Sequence, residues 1–414
     1  MGMTKRKHMR ILQVNKFFYR RGGVEVVFFD TIKGLRERGH EVSEFSMISS
    51  GNLSSDYSAY FASSVPELVG KNDLATSWKI FKRLFYSAEI QQKLKALVLA
   101  NEPQVAHLHG VYHHLSASTF TQLYEMKIPM VLTLHDFFPL SPSRNFLHGE
   151  TLNEDVYKNK FYNCVRYRCI NNKFLPSLAG TLEAYYYRLK KIWDRIDLYI
   201  CPSQFMADKF MEYGFPPEKM RVVPNPIKPQ EVIPPLGNKI VYLGRVHYEK
   251  GIKILMEAAK ELRDYKIMVV GSGPEDGWVQ QFARKNILSN IERIGWVGGD
   301  SWLKVMLEAK VIVVPSLFYE NCSMGILEAL SYGRIVVAVD RGGNPELIKD
   351  GISGFLAKPE DPADLARVIK RAMDTSDAEA AIISANAVKT LENHRPEDYF
   401  NKLESIYAEV LNKI

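Results

Sequence analysis

Cysteine is scarce in this chain: Cys164, Cys169, Cys201 and Cys322 are the four among 414 residues. So few thiols build no disulfide framework and fit a reducing compartment. Cys164-x4-Cys169 is a lone pair, and two ligands do not make a zinc site, so these read as reduced structural thiols. Long apolar runs are missing too. No stretch approaches the roughly 18 apolar residues of a membrane span. No apolar segment of a signal peptide follows Met1-Gly2-Met3-Thr4-Lys5-Arg6-Lys7. Arg6 stands where myristoylation of Gly2 would need Ser or Thr. There is no low-complexity tract, no short-period repeat, no recognised nucleic-acid motif and no Asp-x-Asp. These absences exclude a secreted disulfide scaffold, a membrane-spanning protein and a nucleic-acid partner. They leave a cytoplasmic globular protein as the expectation.

What is present is a chain of 46% apolar and 24% charged residues, long enough for two cores of about 200 residues each. The net charge of +7 is uneven. Residues 1–230 hold 31 Lys and Arg against 21 Asp and Glu, and the remainder holds 23 against 26. A basic first half suits either an anionic partner or an ordinary solvated surface.

Strand and helix patterns alternate. Arg10-Ile11-Leu12-Gln13-Val14-Asn15 reads as a strand, and a helix from about Val24 closes at Gly39. Val105-Ala106-His107-Leu108-His109 and Pro129-Met130-Val131-Leu132-Thr133-Leu134-His135 are strands ending in histidine. Pro224-Asn225-Pro226, then Pro229, Pro234 and Pro235, form a stiff linker, after which the pattern restarts with Lys239-Ile240-Val241-Tyr242-Leu243-Gly244. A helix is expected over 252–262 and another over 322–332. The reading is α/β: two Rossmann-like domains, 1–228 and 229–395, with parallel sheets facing across a cleft. Ligands of such sheets bind beyond the carboxyl ends of the strands.

The strongest constellation is Glu320-Asn321-Cys322-Ser323-Met324-Gly325-Ile326-Leu327-Glu328. On a helix, Glu320 lies near the start and Glu328 two turns in, on one side. Free N–H groups at the helix start suit a diphosphate. A carboxylate accepting two hydroxyl protons suits a sugar or ribose ring. The competing reading is an amphipathic helix with Glu328 in solvent. Gly244-Arg245-Val246-His247-Tyr248-Glu249-Lys250-Gly251 follows a strand and precedes a helix. Arg245 and Lys250 would stabilise the charge that grows on a departing diphosphate. Gly271-Ser272-Gly273-Pro274-Glu275 and Arg21-Gly22-Gly23 permit close backbone approach, and both also read as simple loops.

On these residues the chain resembles glycosyltransferase family 4, the group 1 retaining glycosyltransferases of GT-B fold. The pieces are Glu-x7-Glu at Glu320 and Glu328, Gly244-Arg245…Glu249-Lys250-Gly251, Val269-Val270-Gly271-Ser272-Gly273-Pro274, Val223-Pro224-Asn225 and Gly342-Gly343…Glu346…Gly351…Gly354. The resemblance implies that Arg245 and Lys250 bind the diphosphate, Glu328 the donor ribose and Glu320 hydroxyls of the donor sugar. Ser323, Met324 and Gly325 would offer backbone amides, Trp296 and Val297 would flank the base, and Gly22, Gly23 and Gly271 would approach the donor. Thr133-Leu134-His135-Asp136 is similar to the family's T-x-H-D loop and puts His135 near the reacting sugar. Ser323 stands where many members carry glycine. The C-terminal helix, 396–414, would cross back to the first domain.

The implied reaction moves a hexosyl group from a UDP-sugar or GDP-sugar to a glycan or lipid-linked acceptor with retained configuration, in cell-surface polysaccharide or glycolipid synthesis. No metal is expected, Arg245 and Lys250 taking its place. Front-face attack is favoured, with Glu320 the candidate nucleophile for a covalent route. His107-x-His109 has a metal-ligand spacing but no carboxylate or cysteine partner. Basic-aromatic stretches at Trp78-Lys79…Phe81-Lys82-Arg83-Leu84-Phe85 and Tyr185-Tyr186-Tyr187-Arg188-Leu189-Lys190-Lys191-Ile192-Trp193 read either as peripheral contacts with the inner membrane face or as core aromatics with cations outside. The other readings are a non-hydrolysing sugar-nucleotide epimerase of the same fold and a non-catalytic nucleotide-sugar-binding module.

Overall fold

The computed structural model describes residues 8–65, 74–230, 232 and 236–413. Pro234, Pro235 and the basic N-terminal residues lie outside them.

In the first half, β1 (Arg10–Val14), β2 (Glu41–Phe45), β3 (Val105–Leu108) and β4 (Met130–Thr133) precede a short hairpin, β5 (Leu147–His148) and β6 (Thr151–Leu152). β7 (Leu198–Cys201) and β8 (Met220–Val222) follow. The second half holds β9 (Lys239–Leu243), β10 (Ile267–Val270), β11 (Ile291–Ile294), β12 (Ala309–Val314), β13 (Ile335–Val339) and β14 (Phe355–Ala357). Two six-stranded sheets result, ordered β2-β1-β3-β4-β7-β8 and β11-β10-β9-β12-β13-β14, and every pairing within them is parallel. In both, the chain starts near the middle, builds outward, and returns to build the other side. This reversal opens a crevice at the strand ends.

Strand periodicity divides each sheet between two apolar layers. Leu12 and Val14 pack with Ala106, Leu108 and Leu132 on one face, while Ile11 packs with Val105, Val131 and Ile200 on the other. Ile240, Tyr242 and Val313 likewise lie opposite Val241, Ile312 and Val336.

Six helices matter for the site: α1 (Gly23–Glu37), α2 (Leu74–Phe85), α3 (Phe174–Leu189), α4 (Gln204–Glu212), α5 (Met324–Ser331) and α6 (Pro396–Leu411). Proline at its first turn starts α6. Tyr399, Leu403, Ile406, Tyr407 and Val410 form a stripe at helical spacing, buried against the first domain. Tyr399 hydrogen-bonds Thr31 at 2.9 Å, and Arg38 pairs with Glu404 at 2.7 Å. The last helix therefore does cross back.

Three local expectations are corrected. Glu320 does not sit on the helix. α5 begins at Met324 because Ser323 is extended and the Asn321 side chain accepts from the Cys322 N–H at 2.6 Å, turning the chain first. The helix expected over 252–262 is α-helical only for Ile252–Ala258, and a 3₁₀ turn, Ala259–Glu261, ends it. Cys164 and Cys169 are joined in a disulfide. The short helix Tyr162–Arg166 curls the chain so that their Cα atoms lie 4.9 Å apart, within bridging range. Cys201 and Cys322 are free and buried.

Candidate active site

The loops at the carboxyl ends of the two sheets meet across the cleft. In the second domain the turn after β9 carries Arg245 and Lys250. Its last residue, Gly251, has φ 71°, and a side chain there would run into the Pro315 carbonyl at the end of β12. That close approach seats Lys250 beside the loop after β12. Lys250 Nζ lies 2.8 Å from Glu320 Oε1, which also accepts from Ser316 Oγ at 2.6 Å. Glu320 is buried, and its carbonyl accepts from the Gly343 N–H at 2.7 Å, so the loop after β13 braces it. Arg245 pairs with Glu249 at 3.1 Å. The Gly271 N–H donates to the Gly295 carbonyl at 3.1 Å, bringing the Gly271 turn beside the Trp296–Val297 loop. Trp296 is 82% exposed and Val297 is partly buried.

Ser323 caps α5 without a side-chain hydrogen bond, leaving its first-turn amides free of a side-chain cap. Met324 and Gly325 open that turn. The Glu328 carboxylate, on the same helix, has no hydrogen-bonding or ionic partner among the described residues, while its carbonyl accepts from Ser331 Oγ at 2.7 Å. Burial, with Asp30 of α1 nearby, pushes its carboxyl up to about 7.

From the first domain, Gly23 abuts Met324: a Cβ there would sit 3.2 Å from Met324 Cγ. Gly22 caps α1 beside it. The His135 carbonyl accepts from Asn321 Nδ2 at 2.8 Å. The His135 ring stands 2.9 Å from His109 Nδ1, and burial, reinforced by Lys16, holds its pKa down at about 3. Lys16 itself is lowered to about 8 by burial and by Arg144. It lines a cavity of about 250 Å³ with Phe17, Tyr19, Arg21 and His114.

Glu320 and Lys250 thus touch, His135 and Gly23 reach the Glu320–Glu328 segment from the opposite domain, and Gly271 and Trp296 stand together on the outer strands. Among the described residues no hydrogen bond ties Trp296 to Lys250 or Glu320. Sequence reading passed over the residues that join the two halves. Asn145 donates to Glu249 at 3.0 Å. Tyr319 donates to Glu154 at 2.7 Å. Glu346 accepts from the Gln204 and Phe205 N–H groups at 2.9 and 2.6 Å, capping α4 from the other domain. The only signal for Glu346 was its place in the glycine-spaced motif. Among the described residues no group of three or more His, Cys, Asp or Glu is arranged to hold a metal ion, and no helix is long and apolar enough to cross a membrane.

Two parallel sheets facing across a cleft, with the last helix returned to the first, define the GT-B fold of glycosyltransferases. The family model described as Glycosyltransferase Family 4 matches residues 21–231, just over half the chain, and the model described as Glycosyl transferases group 1 matches 237–375. The chain belongs to glycosyltransferase family 4. It is 28% identical over 241 residues to the lipopolysaccharide 1,2-N-acetylglucosaminetransferase of Salmonella typhimurium, covering 52% of this chain and 61% of that one. It is 28% identical over 225 residues to a phosphatidylinositol N-acetylglucosaminyltransferase subunit of Arabidopsis thaliana, covering 51% and 46%. The chain spans about a third to three fifths of the length of these and another curated relative. Solved structures share the fold: sucrose-phosphate synthase from Thermosynechococcus elongatus (TM-score 0.74, 16% identity, 98% of this chain and 100% of that one) and Anabaena HepE in complex with UDP and glucose (TM-score 0.64, 16%, 97% and 100%).

Proposed function

We propose that this protein transfers a hexosyl group from a nucleotide diphosphate sugar, a UDP-sugar or GDP-sugar, to a glycan or lipid-linked acceptor, with retention and without a metal. The carrying observation is the part-buried Glu320–Lys250 contact beside an α5 N-terminus free of a side-chain cap, with the Glu328 carboxylate unpartnered on the same helix among the described residues. Lys250, Arg245 and the first-turn amides of α5 take the charge that develops on the departing diphosphate. Glu320 binds hydroxyls of the donor sugar, and Glu328 binds the ribose, whose hydroxyls supply the donors it lacks. Gly271, Trp296 and Val297 accommodate the base. Gly22, Gly23 and His135 close over the sugar from the first domain.

Retention follows from front-face attack, in which the leaving phosphate takes the acceptor proton. Glu320 is the candidate nucleophile for the competing covalent route; Lys250 and Ser316 both contact its Oε1. The Lys16 cavity is the acceptor side. Its cationic and aromatic lining suits an acceptor bearing an anionic group. Exposed Trp78, Lys79 and Lys82 on α2, and Arg188, Leu189, Lys190 and Lys191 at the end of α3, give the basic first domain a face for peripheral contact with an anionic membrane. The names of the relatives, transferases acting on lipopolysaccharide and phosphatidylinositol, support cell-surface polysaccharide or glycolipid synthesis.

The test is a thermal-shift screen with UDP, GDP, ADP and their sugars, followed by assay of nucleotide released on adding candidate acceptors. A stabilising nucleoside diphosphate, with release that depends on acceptor, is expected. Epimerised donor without released nucleotide would replace the proposal with an epimerase. Tight binding with neither outcome would replace it with a binding module.

A further inference from the structure

A continuous chain of buried polar side chains runs between α6 and the cleft. Tyr407 Oη stands 2.7 Å from His107 Nδ1, and His107 Nε2 stands 2.7 Å from Thr133 Oγ1. Gln13 Nε2 donates to Tyr407 Oη at 3.3 Å. Gln13 Oε1 stands 3.1 Å from His109 Nε2, and His109 Nδ1 stands 2.9 Å from His135 Nε2. Gln13, His107 and His109 are buried, on neighbouring strands β1 and β3 or just past their ends.

The direction of these bonds is set by the amide. An amide oxygen only accepts, so His109 Nε2 carries the hydrogen. A neutral ring then has a lone pair at Nδ1, which requires a hydrogen on His135 Nε2. Both rings are neutral, because burial lowers both and the neighbouring cations and histidines add to it. In a neutral His135 the remaining nitrogen, Nδ1, is a lone-pair acceptor, and it has no partner among the described residues. A ring with either tautomer free would offer the cleft a donor half the time.

We propose that Gln13 and His109, anchored by Tyr407 of the returning helix, are positioning residues that hold His135 in its Nε2–H form, so that Nδ1 accepts a hydrogen bond from a substrate hydroxyl. The tautomer part rests on the hydrogen-bond geometry together with the burial of the two rings, while its use on a hydroxyl rests on the proposed glycosyl transfer. The returning helix thereby does more than cover apolar surface: its Tyr407 hydroxyl ends the chain that orients a cleft residue.

The test is ¹⁵N long-range correlation spectroscopy of the histidine rings in the full chain, with His135 assigned by loss of its signals in His135→Gln. The expected result is the Nε2–H tautomer, still neutral well below the ordinary pKa of 6.5. A Nδ1–H tautomer, or a ring that protonates near that value, overturns the proposal. Gln13→Met, close in size and unable to accept, should shift His135 to mixed tautomers and lower kcat about tenfold, the worth of one hydrogen bond, with the donor KM unchanged. Tyr407→Phe should give a smaller change of the same kind. A variant that only loses Tm while His135 keeps its tautomer and kcat assigns Gln13 a structural role and overturns the proposal. A protein that shows the tautomer but transfers no sugar to any acceptor defeats the proposed function and leaves the positioning chain standing.

Discussion

Lys250 Nζ and Glu320 Oε1 are 2.8 Å apart although 70 residues separate them, joined by the close packing of Gly251 on the end of β12. In the proposed reaction the pair places a cation where the diphosphate departs and a carboxylate beside it to hold the sugar. Lys250→Ala removes the cation and leaves Glu320 buried without its ionic partner. The expected loss in kcat/KM is about 100-fold to 1,000-fold, typical of one transition-state contact. Lys250→Arg keeps the charge and should recover part of it. Steady-state nucleotide release measures both.

Glu328 titrates near neutrality because burial and Asp30 disfavour its charge. In the proposed donor complex its ionised form accepts two ribose hydroxyls, whereas the protonated form accepts less well. Nucleoside diphosphate affinity should therefore rise with pH through about 7. The free protein should show the opposite trend in stability. Its native carboxyl holds a proton more tightly than the ordinary value of 4.5, so stability falls as pH rises from about 4.5 to about 7. Glu328→Gln should flatten both curves, followed by calorimetry and by thermal denaturation across pH.

Glu346 caps α4 across the domain boundary, both oxygens accepting backbone N–H groups. A carboxylate at a helix N-terminus contributes about 1 kcal/mol, and Glu346→Ala should remove that much from the contact between the domains. Small-angle scattering should show a larger radius of gyration and kinetics a raised donor KM. An unchanged radius would show that the cap does not hold the domains together.

Leu403 on α6 is fully buried in the first-domain core. Leu403→Ala should cost about 2–5 kcal/mol, the usual range for such a cavity. The loss should appear as a lower Tm of the first domain, read by calorimetry.

Arg245 and Lys250 are proposed to do the work of a metal ion. Transfer should therefore persist in EDTA. Activity that vanishes with chelator and returns with manganese would contradict the assignment.

Much of the fold was legible because parallel strands announce themselves. Ile335–Val339 and Ile267–Val270 are apolar runs with no other use, and Gly333 and Gly39 mark helix ends. The returning helix was expected from the family resemblance, and its apolar stripe is what seats it on the first domain. The site was legible by motif but not by geometry. Glu320 and Glu328 were read as sharing one helix, yet Asn321 spends its side chain on the Cys322 amide and delays the helix to Met324. The bridging of Cys164 and Cys169 depended on a five-residue helix too short for periodicity to reveal. Histidines at the strand ends were visible, but His109 meets His135 only because β3 lies beside β4 in the sheet. Glu346 and Gln204 are 142 positions apart, and nothing local to either signals the other.

His394 Nδ1 lies 2.9 Å from the Asn225 carbonyl, where the outgoing and returning segments pass each other. The peptide therefore runs between the two halves twice, and the crossings are fastened side by side. A body hung on two adjacent pins swings about the line through them and resists twisting. Any swing of one half against the other should follow one arc, breaking and remaking the contacts of His135 with Asn321 and of Gly23 with Met324 together.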